Sequence, residues 1–257
     1  MFLSLISGSS GNASIVQSLH TTILVDCGLS CKRLTNLLNS VGILPSDIDA
    51  LLITHEHCDH TMGAGVVSRR FDIPIYATEK THQNMKIGPV KEENIKLITH
   101  DNDFSIGDID IHSFSISHDA ADPVGYSFFA DNQKYSIATD TGIMTDGIFN
   151  SISGSDFVML EANHDIDMLM YGEYPFDLKK RILGEKGHLS NDSAAEVAVK
   201  LLESNTHNVM LSHLSDKNNL PDIAYKTVGE ALIKHGAVMG SDINLSVAQR
   251  YEVTSFI

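Results

Sequence analysis

Seven consecutive residues, Thr54-His55-Glu56-His57-Cys58-Asp59-His60, constrain this chain more than any other stretch. Three imidazoles and a carboxylate fall within six positions at the spacing H-x-H-x-D-H. Those donors suit zinc, manganese or iron, and two histidines one residue apart on a loop can share one ion. The apolar run Ile48 to Ile53 ahead of them reads as a strand, and Thr61 to Arg70 behind them reads as a helix. The motif is therefore expected on a loop at the C-terminal end of a strand, where α/β sheets commonly place their chemistry.

Strands and helices alternate through the rest of the chain. Residues 2–6, 13–16 and 21–25 read as short strands, the first two joined by the turn Ser7 to Asn12. Ser30 to Val41 has helical periodicity through Leu34, Leu37, Leu38 and Val41. Further strands are expected at 74–77, 96–98, 108–114, 125–130, 135–139, 155–161, 209–212 and 244–251, with helices at 79–86, 191–204 and 222–235. No repeat, low-complexity segment or Pro/Gly-rich linker divides them. Residues 1–257 are thus expected to form a single α/β domain with no inserted domain. Two sheets packed face to face, with helices on both outer faces, suit such a pattern.

Composition narrows the function classes. A net charge of -15 argues against a broad basic surface gripping nucleic acid, although it leaves room for a local one. Bound divalent cations would add positive charge where it counts. An odd number of cysteines, Cys27, Cys31 and Cys58, argues against a disulfide framework. Cys27 and Cys31 are either small residues at a strand-to-helix junction or a weak metal pair, and Cys58 lies between ligand positions. No apolar run approaches the ~20 residues of a membrane span. Met1 to Ile6 has no signal-peptide pattern. A cytoplasmic location without membrane contact is expected.

Three residues downstream complete a pattern. His118 follows the strand ending near Ser115, Asp140 follows 135–139, and His213 follows 209–212. All three stand at strand C-terminal ends and can reach one rim. The order H-x-H-x-D-H, then His118, then Asp140 in a T-D-T-G context, then His213, resembles the metallo-β-lactamase superfamily over nearly the whole chain. Ser7 to Ala13, Val25 to Ser30, Leu160 to Asp165, Tyr174-Pro175 and Gly187 to Asn191 narrow the likeness to its YycJ/WalJ-like branch, related to ribonuclease Z and PhnP-type phosphodiesterases.

That resemblance implies a four-layer αβ/βα sandwich of two mixed sheets. It implies a metal-dependent phosphodiesterase, a 5′-to-3′ exonuclease on DNA, using two divalent ions (zinc or manganese). His55, His57 and His118 would bind one ion, Asp59, His60 and His213 the second, and Asp140 would bridge them. A bridging hydroxide would attack, oriented by Asp59, which is thus both ligand and catalytic residue. His188, in Gly187-His188-Leu189-Ser190, would protonate the leaving oxygen. Cys58 departs from the Ser or Ala that relatives often carry, and leaves the ligand set intact.

Around this set the readings stay open. Asp26 either orients a ligand histidine or forms a turn. Glu161, Asn163 and His164 either line the substrate cleft or form a structural loop. Lys179, Lys180 and Arg181 either hold substrate phosphate or cover a solvated helix face. Ser7 to Asn12 is a tight turn or a phosphate-binding nest. The alternatives to DNA digestion are an RNA-processing nuclease, a small cyclic-phosphodiester hydrolase, and a non-catalytic metal-binding regulatory protein. Oligomeric state does not follow.

Overall fold

A computed structural model describes residues 1–256. In chain order its elements are β1 (Phe2–Ile6), β2 (Ala13–Gln17), β3 (Thr22–Val25), α1 (Cys31–Ser40), β4 (Ala50–Leu52), α2 (Cys58–Thr61), α3 (Ala64–Phe71), β5 (Ile75–Thr78), α4 (Glu79–Asn84) and β6 (Ile95–Ile98). Then come β7 (Asn102–Ile106), β8 (Ile109–Ser115), β9 (Val124–Ala130), β10 (Gln133–Ala138), α5 (Asp146–Ile152), β11 (Phe157–Glu161), α6 (Ile166–Tyr171) and α7 (Phe176–Ile182). The last are α8 (Asn191–Glu203), β12 (Asn208–Ser212), α9 (Pro221–Lys234), β13 (Asn244–Val247) and β14 (Thr254–Phe256). The strands form two seven-stranded mixed sheets, ordered β14-β1-β2-β3-β4-β5-β6 and β13-β12-β11-β10-β9-β8-β7. The chain divides into two compact units: residues 1–115, 120–132 and 249 onward, and residues 116–119 with 133–248.

In the first unit, β1 pairs antiparallel with β14 and β2, and β2 with β3. From β3 to β6 the pairing is parallel. Thr22–Val25 and Ala50–Leu52 are buried at every position, as strands covered on both faces must be. The edge strand β6 leaves Ile95, Lys96 and Leu97 exposed, and a lysine on an edge discourages pairing with other chains. α1 starts where the Ser30 side chain accepts from the Arg33 N–H, a cap that satisfies one of the orphan donors of the first turn.

The expected helix over 61–70 is two helices. α2 begins earlier, at Cys58, so Asp59 and His60 stand on a helical turn while His55 and His57 precede it. Between α2 and α3, Gly63 passes so close that a Cβ there would lie 2.1 Å from the Leu29 carbonyl oxygen. Gly28 is tighter still. Its Cβ would lie 1.6 Å from the Asp59 carbonyl oxygen and 2.7 Å from the Asn12 nitrogen. Gly28→Ala is therefore expected to push the motif turn off its bed and to lower stability by about 1–3 kcal/mol or more. A urea midpoint equal to wild type would show that the turn relaxes at no cost.

In the second unit, β10, β11, β12 and β13 are parallel. Ala138 pairs with Leu160, and Leu160 with Leu211. That register sets the residues just beyond them, Asp140, Glu161 and His213, along one rim. β7, α5, α6, α7 and β14 were not foreseen in the sequence, and the expected strand over 244–251 stops at Val247.

Candidate metal centre

The motif of the first unit is wired by one carboxylate. Asp26 accepts from the Thr54 backbone N–H (2.9 Å) and hydroxyl, and its Oδ2 accepts from His60 Nδ1 at 2.8 Å. A carboxylate only accepts, so the His60 proton sits on Nδ1 and the lone pair on Nε2. Thr54 Oγ1 spends its proton on Asp26 and accepts from His55 Nδ1 at 3.0 Å. The His55 lone pair is then also on Nε2, and it lies 3.0 Å from His57 Nδ1. Two ring nitrogens brought that close, with a carboxylate oxygen of Asp59 3.4 Å from His60 Nε2, form a donor set that fits a divalent cation. Asp26 thus orients His60 directly and His55 through Thr54. Both of its readings are compatible with this geometry: the carboxylate holds two histidines, and its backbone turns at φ 59°.

Asn12 supports the same turn. Its backbone N–H donates to the Asp59 carbonyl (2.8 Å), and its amide Nδ2 lies 3.1 Å from His60 Nε2 and 3.4 Å from Asp59 Oδ2. The loop Ser7 to Asn12 closes on itself, with Gly11 N–H donating to the Gly8 carbonyl and the Gly8 N–H to Asn12 Oδ1. It is a turn that braces the motif. Cys27 and Cys31 are buried and free, and burial pushes the Cys27 thiol up to about 12. Cys58 is exposed.

The second unit carries its own cluster. His118 donates through Nδ1 to the Gly187 carbonyl at 3.2 Å, and its Nε2 lies 3.5 Å from Asp119 Oδ1 and 3.8 Å from Asp140 Oδ1. His213 Nε2 lies 3.4 Å from the same Asp140 oxygen. Burial pushes the His118 pKa down, which favours the neutral ring. One residue organises the rest. Glu161, fully buried at the end of β11, accepts through Oε1 from His188 Nδ1 at 2.7 Å and from His213 Nδ1 at 3.0 Å. Its Oε2 accepts from the backbone N–H groups of Thr141 and Leu189. Burial opposes the Glu161 charge, yet His188 and both hydrogen bonds outweigh it and hold the carboxyl well below its usual range. Burial likewise opposes a charged His188, and again Glu161 prevails, so the His188 pKa is raised. Among the described residues, ligand atoms of Asp140, Glu161, His188 and His213 lie within 4.8 Å of one another.

Asp26, Asp140 and His213 share a further trait. Their φ angles are 59°, 59° and 55°, in the left-handed region. Non-glycine residues adopt it uncommonly, and asparagine, aspartate and histidine do so most readily.

The expected substrate residues are placed differently from one another. Asn163 and His164 are buried. Asn163 Nδ2 donates to the His213 carbonyl at 2.9 Å and so steadies that residue. Burial lowers the His164 pKa to about 4. Lys179 Nζ donates to the Met170 and Gly172 carbonyls, so its charge is engaged within the chain. Arg181 pairs with Asp119. Lys180 is exposed. Glu161, read from the sequence as cleft-lining or part of a structural loop, contacts His188 and His213 instead, and Asn12, read only within the Ser7 to Asn12 turn, contacts His60.

Comparison with known proteins adds to this geometry. A pattern described as "Beta-lactamase superfamily domain" matches residues 21–214. The chain belongs to the β-lactamase superfamily. Within the superfamily it is 39% identical over 245 residues to the exodeoxyribonuclease WalJ of Streptococcus pneumoniae serotype 2, covering 94% of this chain and 91% of that protein. It is 37% identical over 241 residues to the exodeoxyribonuclease YycJ of Bacillus anthracis, covering 93% and 91%. Among solved structures, the metallo-β-lactamase fold protein YhfI of Bacillus subtilis aligns with a TM-score of 0.71 at 15% identity, over 98% of both chains. The α/β metallo-β-lactamase fold expected from the sequence is the fold observed. No helix among the described residues is long and apolar enough to cross a membrane.

Proposed function

We propose that this chain is a metal-dependent phosphodiesterase that digests DNA exonucleolytically from the 5′ end. One observation carries the proton-transfer half of that reading: His188 is held through Nδ1 by the buried carboxylate of Glu161, in a family whose two close relatives are named exodeoxyribonucleases. A hydrogen bond to an anion keeps the imidazole protonated and aims Nε2 outward, which is what protonation of a leaving oxygen needs.

The ligand assignment is the one the family pattern implies: His55, His57 and His118 on one divalent ion, Asp59, His60 and His213 on another, Asp140 shared. Zinc and manganese both suit these donors. Bound there, the ions would supply charge stabilisation of the phosphoryl oxygens and activation of the attacking water. The chain's own residues do the remaining work. Asp26, Thr54 and Glu161 set the tautomers of His55, His60 and His213. Asp59 orients the attacking oxygen, and His188 delivers the proton. A nuclease acting on the cell's own DNA works in the cytoplasm, and the proposal includes that location.

Glu161→Gln tests the wiring. Oε2 accepts two backbone N–H groups, so the amide oxygen must take that side. The new NH2 would then face two imidazole N–H donors. Metal affinity or activity is expected to fall ~10- to 100-fold. The alkaline limb of the pH–rate profile should also move to lower pH, because the anion that raises the His188 pKa is gone and the acid form is lost sooner. An unmoved alkaline limb would mean that His188 is not the acid.

The decisive measurement is digestion of end-labelled DNA and RNA, as duplexes and single strands with 5′-phosphate or 5′-hydroxyl ends, in Mn²⁺ and in Zn²⁺. Processive shortening of DNA from the 5′ end is expected. Internal cuts, or no action on DNA, would remove the exonuclease reading and leave RNA or a small phosphodiester as substrate.

A further inference from the structure

Arg181, near the end of α7, is held by one side of its guanidinium and offers the other. Its Nε donates to Asp119 Oδ2. The second oxygen of that carboxylate, Oδ1, lies 3.5 Å from His118 Nε2, the ring nitrogen that faces Asp140. A single side chain thus joins the guanidinium to the candidate metal centre. Among the described residues, no group pairs with the two terminal amino groups of Arg181. The side chain is 59% exposed, so those donors are open to a ligand. Lys179, two residues earlier, differs: its ammonium is taken by the Met170 and Gly172 carbonyls.

An exposed Arg–Asp pair contributes little to stability by itself. The backbone beneath this one is nevertheless fixed to the centre at several points. The Gly184 N–H donates to the Arg181 carbonyl at 3.2 Å, and the His188 N–H to the Ile182 carbonyl at 3.0 Å. A Cβ on Gly187 would lie 2.4 Å from the Arg181 carbonyl oxygen, and one on Gly142 would lie 2.3 Å from the Gly184 carbonyl oxygen. Ser117 Oγ donates to the Glu185 carbonyl at 2.8 Å, and His118 Nδ1 to the Gly187 carbonyl at 3.2 Å. The end of α7 therefore has little freedom relative to His118, Asp140 and His188.

The chemistry of the ligand follows from the donors left over. Guanidinium is a planar fork of five N–H groups. With Nε spent on Asp119, the terminal amino groups remain side by side, a spacing that suits two oxygens of a phosphate. We propose that Arg181 binds a phosphate of the strand end being cleaved, and that Asp119 is the positioning residue that aims it. This rests on the nuclease reading above and names how the strand end is gripped. The phosphate is either the 5′-terminal monoester or the scissile diester, and the substrates below separate the two.

The test compares wild type with Arg181→Gln and Arg181→Lys on duplex DNA carrying a 5′-phosphate or a 5′-hydroxyl, over a range of salt. Arg181→Gln is expected to raise KM ~10-fold on the phosphorylated end at unchanged metal content, the effect of losing a charged hydrogen bond. The slope of log KM against log salt should fall by ~0.7 to 0.9, one phosphate contact. Arg181→Lys keeps the charge and loses the fork, so it should keep the slope and recover part of the KM. A loss confined to the phosphorylated end assigns the contact to the terminal monoester. An equal loss on both ends assigns it to the scissile diester, and either result upholds the proposal. Unchanged KM and slope, or a fall in metal content, overturns it, because Arg181 is then a surface pair or a brace for His118. If wild type digests no nucleic acid, the nuclease reading itself has failed. Arg181 is then judged by equilibrium binding of the same DNAs: a loss in Arg181→Gln with a flattened salt dependence upholds the contact, and no binding or no loss overturns it.

Discussion

Asp59→Asn is expected to leave no measurable phosphodiester hydrolysis while the chain folds normally and still holds at least one ion. The replacement is isosteric, and the backbone bond from Asn12 to the Asp59 carbonyl, 2.8 Å long, does not involve the side chain. What changes is donor count. Oδ2 lies 3.4 Å from the Asn12 amide nitrogen and 3.4 Å from His60 Nε2. An asparagine has one accepting oxygen, and the Asn12 N–H claims it. The amide oxygen in the Oδ2 place is neutral and a weaker ligand than a carboxylate, and the NH2 group in the other place has no lone pair free to bind a cation or to accept from an attacking water. Metal content by elemental analysis and hydrolysis of bis(p-nitrophenyl) phosphate read both halves. Turnover above about a tenth of wild type would show that Asp59 is dispensable and that the ion is held by the imidazoles alone.

His188→Ala is expected to lower turnover on DNA ~100-fold or more at unchanged metal content. The structure says why the centre should survive the loss. Glu161 keeps His213 Nδ1 at 3.0 Å and two backbone N–H groups, so its buried charge retains partners when His188 goes. The leaving group discriminates further. An alkoxide leaves poorly without a proton, whereas p-nitrophenolate is a stable anion and hardly needs one. The deficit should therefore shrink on bis(p-nitrophenyl) phosphate. Loss of metal instead would reassign His188 as a ligand, an option that the grouping of Asp140, Glu161, His188 and His213 within 4.8 Å keeps concrete.

Much of this was readable before any coordinates. The proposed ligands His55, His57, Asp59, His60, His118, Asp140 and His213 stand out because ligand types recur just after apolar strands, and strand ends are the easiest boundaries to read. What was missed has physical causes. α5, α6 and α7 are only seven, six and seven residues long, too short for helical periodicity to repeat. β7 is Asn-Asp-Phe-Ser-Ile, mostly exposed at a sheet edge, and edge strands need not be apolar. Glu161 was visible as a polar residue closing an apolar strand, yet its role depends on the register of β11 beside β12 and on a loop 27 residues downstream. Asn12 depends on a contact with Asp59 across 47 residues. Local pattern carries no trace of either.

The left-handed backbone at Asp26, Asp140 and His213 has an evolutionary consequence. Two independent filters act on these positions. The site's chemistry asks for a carboxylate or an imidazole, which admits aspartate, glutamate, histidine and few others. The backbone admits glycine, asparagine, aspartate and histidine with little penalty. Only aspartate and histidine pass both. Glutamate, the usual conservative exchange for aspartate, fails on conformation before its reach to a metal is even considered. The vocabulary of substitutions open to drift at these positions is therefore narrower than the proposed chemistry alone would set, and these three side chains are held to it by the shape of the chain as well.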